Sequence, residues 1–137
     1  MRQALAIATF ALAAQSVSAS GQSPDFVFNK VAVNQVNSAI FETSPRGTSR
    51  TDNFWCAASE YAVRRLGADW KQNLYVVRGY ARSQTTGSPT SVQFTLDPGA
   101  ANVRSKSSGF GSGFNPGANV TVQKANTRCN RIPFNER

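Results

Sequence analysis

The sequence predicts an α+β domain, with one α-helix packed on a small antiparallel sheet of about four to five strands and tied by a single disulfide. Three observations carry this expectation. One segment has apolar residues at helical spacing, several short segments are β-branched or strictly alternating, and two cysteines stand far apart in the chain.

The first nineteen residues stand apart from that domain. Met1-Arg2-Gln3 is positively charged, residues 4–14 are uncharged and mostly apolar, and Val17 and Ala19 form a small-x-small pattern. This is the three-part layout of a secretory signal peptide over residues 1–19. Its apolar run is about half of the roughly 20 residues that a membrane-spanning helix needs, and no longer run follows. The reading predicts an exported protein, periplasmic or extracellular. Residues 20–137 then form a single domain of ordinary size, with no transmembrane segment in the mature chain.

Within that domain, Phe26, Val27, Phe28, Val31 and Val33 predict a strand over 26–33, and Ile40 and Phe41 a second over 39–43, with 34–37 as the turn. Pro45, Gly47 and two arginines make 44–51 a loop. The helix comes next. Asp52 stands before 53–66 as an acidic N-cap, Phe54, Ala57, Ala58, Tyr61, Ala62 and Leu66 recur on one face, and Gly67 follows the last turn. Glu60 and Arg64 are four apart in the favourable order for an exposed pair.

Residues 74–80 are rich in Val and Tyr, and 91–96 alternate, with Val92, Phe94 and Leu96 on one face. The turn-forming stretch between them, which includes Gly87 and Pro89, predicts an antiparallel pair at the heart of the sheet. Residues 105–119 are glycine-rich and predict a loop, because glycine makes regular structure costly. Val120 and Val122 alternate in a last strand, and the tail beyond carries Cys129. In an exported chain Cys56 and Cys129, with no third cysteine to compete, read as one structural bridge. Closing so long a loop is worth roughly 4 kcal/mol in the chain-entropy account.

Charge bears on encounter. With 15 Lys+Arg against 7 Asp+Glu, the formal net charge is +8, which suits an anionic polymer or an acidic protein partner. No acidic residue falls in 98–135, where Arg104, Lys106, Lys124, Arg128 and Arg131 make a candidate anion-facing surface, joined by Arg64 and Arg65 on the helix. Solubility alone also accounts for a modest positive excess. No sequence-specific nucleic-acid motif is present, although Tyr75, Arg78, Tyr80 and Arg82 interleave rings and cations in a way that can stack bases.

The chemistry on offer is narrow. The chain has no histidine, which removes the commonest general base and the usual triads. Carboxylates remain, and a pair across a cleft can hydrolyse a glycosidic bond. The candidates are Glu42, Asp52, Glu60, Asp69 and Asp97, and each has a plainer use as a cap, an ion-pair member or a turn residue. The glycines of 105–119 do not match a phosphate-binding loop, so no cofactor is expected. Phe110 and Phe114, four apart in that loop, are either adaptable anchors for a ligand or core residues, with the core favoured. The functional expectation is an exported small basic binding module or envelope accessory protein. The alternatives are a carboxylate-dependent hydrolase of a cell-wall or surface polymer, and a structural or assembly subunit.

Overall fold

The computed structural model describes residues 23–47, 50–111 and 113–132. The signal-peptide reading of 1–19 lies outside the described residues. The first described elements, Phe26–Phe28 (β1) and Val31–Gln35 (β2), form a hairpin in which Phe26 faces Val33 and Phe28 faces Val31. Its turn is Asn29-Lys30, with φ of 48° and 62°. Two left-handed residues give a turn whose twist matches that of the flanking strands. The stretch 26–33, expected as one strand, is therefore two. Asparagine tolerates this conformation, but lysine gives no such signal in a sequence.

The next strand, Phe41–Pro45 (β3), pairs antiparallel with β2. Asn34 lies inside β2, and the reversal is made at 36–40, where Asn37 Oδ1 accepts the N–H groups of Ala39 and Ile40. Helix α1 runs Thr51–Arg64. Arg50, not Asp52, is its N-cap residue and contributes no side-chain cap bond; Asp52 sits in the first turn, where its charge suits the positive end of the helix. At the other end Gly67 turns with φ of 67°, and Ala68 N–H reaches back to the Ala62 carbonyl at 2.9 Å.

Strands Asn73–Ala81 (β4), Ser91–Thr95 (β5) and Asn119–Thr121 (β6) complete the sheet. Among the described residues it has six strands, all paired antiparallel, in the order β1-β2-β3-β5-β4-β6. The expected strand count was one short at least, because the first hairpin reads as a single run. The chain enters α1 from β3 and leaves into β4, two positions across the sheet. Val122 ends the alternation by opening a short helix, Val122–Asn126 (α2), capped by Thr121 Oγ1 and followed by a 3-10 turn over Thr127–Arg131. The Cys56–Cys129 disulfide fastens this C-terminal pair to α1.

Register assigns the two faces of the sheet. Val31, Val33, Phe41, Val92, Phe94, Leu74 and Val76 face α1 and are buried with Phe54, Ala57, Ala58, Tyr61 and Ala62. Leu66, expected on that face, is 40 % exposed, because the helix has already ended at Arg64. Trp55 and Cys56 are buried as well, since α2 and the 3-10 turn cover a second flank of α1. The opposite face of the sheet carries Asn34, Glu42, Ser44, Arg78, Ser91 and Gln93.

Candidate functional site

The two glycine-rich-loop phenylalanines both pack inward. Phe114 is 6 % exposed and meets Phe54, Tyr80 and Phe94 edge-on at 5.4, 5.2 and 6.0 Å. Gly79 permits this approach, since a Cβ there would collide with the Phe114 carbonyl. Phe110 is half-buried, edge-on to Trp55 at 5.3 Å. The guanidinium of Arg128 lies 3.6 Å above the Phe110 ring while Nη1 bonds Asp52 Oδ1 at 3.2 Å, and Lys124 Nζ is 5.7 Å from the same ring. A cation on a ring face is attracted by the negative π cloud.

The C-terminal cations are thus divided. Lys124 and Arg128 converge on Phe110. Arg104 and Lys106 are exposed on the segment leading into the glycine-rich loop, where Lys106 N–H bonds the Gly117 carbonyl, and Arg131 is exposed at the end of the 3-10 turn. On the helix, Arg64 pairs with Glu60 at 2.7 Å, and Arg65 lies over the Phe26 ring.

Of the carboxylates among the described residues, Glu42 is the buried one. The 82–90 loop folds over the polar face of the sheet and closes on it. Ser83 Oγ donates to Glu42 Oε1, joined by Thr85 Oγ1 at 2.5 Å and Thr85 N–H at 2.9 Å. Gln84 N–H and Gln93 Nε2 donate to Oε2 at 3.2 and 3.3 Å, with Arg78 Nη2 3.8 Å away. Burial pushes the Glu42 carboxyl up, but the hydroxyls of Ser83 and Thr85 and the two backbone N–H groups outweigh it and hold the group below its ordinary value. Asn34 Nδ2 adds a bond to Thr85 Oγ1, so the loop is nailed at two points. Beside it a cleft of ≈ 380 Å³ opens between Ala32, Ser44, Arg46 and 86–88, and the buried Ser44 Oγ has no hydrogen-bond partner.

A larger groove, ≈ 640 Å³, lies at the other end of the molecule between the α1–β4 connection and the C-terminal helices. Its walls are Asp69, Trp70 and Lys71 on one side and Gln123, Asn126, Thr127 and Asn130 on the other. Trp70 is 44 % exposed. Its backbone is nonetheless fixed: the Trp70 carbonyl accepts Gln123 N–H at 2.9 Å, the Gln72 carbonyl accepts Val122 N–H at 2.8 Å, and Asp69 Oδ1 accepts Lys71 N–H at 2.8 Å. Sequence reasoning named only Asp69 among these residues. The one local signal was a tryptophan set among polar residues in 69–73, and its partners lie more than fifty positions away.

Compared with protein-family models, curated proteins and solved structures, the chain matches none.

Proposed function

We propose that this protein is an exported, small basic binding module that engages an anionic polymer through its solvent-facing cations. The observation that carries the reading is an asymmetry in how charge is used. Every described carboxylate is engaged internally: Glu42, Asp52 and Glu60 face Arg78, Arg128 and Arg64, while Asp25, Asp69 and Asp97 each accept a backbone N–H. Beyond those three arginines, the described Lys and Arg side chains are exposed and have no carboxylate partner. The positive charge therefore faces outward largely uncompensated, which draws polyanions and drives binding through counterion release. Export is supported by the leader-like N-terminus and by a disulfide of the kind that persists in oxidising compartments.

The hydrolase reading is less well supported. Glu42, the one buried carboxylate among the described residues, is surrounded by donors that keep it ionised, the opposite of what a general acid at neutral pH requires.

The test is a salt titration of binding to long-chain polyphosphate. Arg128 is unsuitable for substitution because it holds Asp52 and covers Phe110. Lys124→Gln/Arg131→Gln is therefore compared with Arg46→Gln/Arg50→Gln. A steep salt dependence in the parent, with greater weakening by the C-terminal pair, is expected. Absence of binding at low salt overturns the proposal, and equal weakening by both pairs overturns a dedicated C-terminal surface.

A further inference from the structure

We infer that the Trp70 groove is a saccharide site that takes a neutral chain of gluco-configured pyranose rings, independently of the charged surface. Trp70 keeps 44 % of its surface open on the groove wall, whereas Trp55 is 1 % exposed, so Trp70 is the tryptophan whose ring a ligand can reach. The flat face of a pyranose ring whose hydroxyls are all equatorial presents C–H groups to such a ring. Those hydrogens carry partial positive charge and meet the negative π face.

The surroundings supply what the sugar's edge needs. Hydroxyls arrayed round a pyranose demand both donors and acceptors in one plane, which planar amides and carboxylates provide. Gln123 and Asn130 are exposed, and their side chains make no intramolecular hydrogen bond among the described residues. Asn126 uses its amide nitrogen on Ser59 Oγ and Glu60 Oε1, both at 3.0 Å, which leaves its amide oxygen as an acceptor. Asp69 engages Oδ1 with Lys71 N–H and keeps Oδ2. Lys71 adds an ammonium donor at the rim.

Rigidity completes the case. The platform is pinned to α2 through both Trp70 and Gln72, and α2 leads straight into the turn that holds Cys129. Little backbone freedom remains to be lost on binding, so the ordering cost falls on the exposed side chains alone, which favours measurable affinity from a small contact area.

The experiment uses the purified, disulfide-bonded protein with cellohexaose and chitohexaose at high salt, read by titration calorimetry and tryptophan fluorescence. Because Trp55 is already buried, ligand-induced blue shift and protection from iodide quenching report Trp70. Binding of at least one hexasaccharide with that shift is expected, weakened about tenfold or more by Trp70→Ala and retained by Lys124→Gln/Arg131→Gln. Gln123→Ala and Asn130→Ala keep Trp70 in place and weaken binding several-fold each. Failure of both hexasaccharides to bind, or binding that Trp70→Ala leaves intact, overturns the inference while leaving the polyanion proposal to its own salt titration.

Discussion

On one side of the sheet Phe41 and Phe94 lie under α1 against Tyr61, Trp55 and Phe114; on the other, at the neighbouring positions of the same strands, Glu42 and Gln93 lie under the 82–90 loop. At these four positions both sides are closed to water. The apolar side is held by rings at 4.9–6.0 Å, a non-directional contact set that tolerates some repacking. The polar side is held by five directed hydrogen bonds converging on one carboxylate, an arrangement whose members depend on each other. Even the defects differ. Trp55 Nε1 is unpartnered among the rings, while Ser44 Oγ and Arg78 Nε are unpartnered on the polar side. A sheet face can thus be roofed by a loop when one ionised group gathers the loop's donors.

The comparison predicts unequal responses to substitution. Phe94→Ala removes a fully buried ring from the apolar side and is expected to cost about 3–5 kcal/mol. Urea denaturation would measure this, and the loss should be the same at neutral and mildly acidic pH because no titrating group is involved. A loss under about 1 kcal/mol would mean that the rings are not the main support of this side.

Glu42→Gln should cost about 2–3 kcal/mol at neutral pH, because the amide nitrogen cannot accept the hydrogen bonds that one carboxylate oxygen now receives. The effect is pH-dependent. Glu42 is held below 4.5 when folded, so its contribution is whole above that value and disappears as the pH falls through the lowered folded pKa. Parent and variant should therefore converge on acidification, in contrast to Phe94→Ala. A parallel pair of stability curves across that range would break the distinction between the two sides.

The smallest effect is expected for Ser83→Ala. It removes one donor to Glu42 and the acceptor for the N–H and hydroxyl of the half-buried Thr86, while four donors to the carboxylate remain and Thr85 N–H keeps its bond to Glu42, and should cost about 1 kcal/mol. Hydrogen exchange localised to 82–90 would sharpen the picture, since faster exchange there with the helix unaffected means that the loop is a separable roof.

Much of the architecture is readable in the residues themselves. The helix, the β4–β5 pair and the alternation of Val92 and Phe94 with Gln93 depend on local periodicity, which the chain carries wherever it folds. The Asn29-Lys30 turn was not readable because lysine seldom adopts that conformation, and the surrounding β-branched residues conceal the break. In the sequence Glu42 is one candidate carboxylate among five, set in the predicted strand 39–43 with no local sign of burial. Its burial depends on Ser83, Gln84 and Thr85, some forty positions later, folding back across β3.

By itself the sequence determined the α+β class, the positive charge, the pairing of the only two cysteines and the helix face from Phe54 to Ala62, because these depend on composition or on spacing within a few turns of chain. Tertiary structure decided which charges are consumed and which face solvent, that Arg128 serves Asp52 and Phe110, and that Trp70 meets Gln123, Asn126 and Asn130 across a groove. Those outcomes rest on contacts between residues distant in the chain. Only the closure of the sheet, the helix and the disulfide-tethered tail into one body brings their side chains within reach of one another.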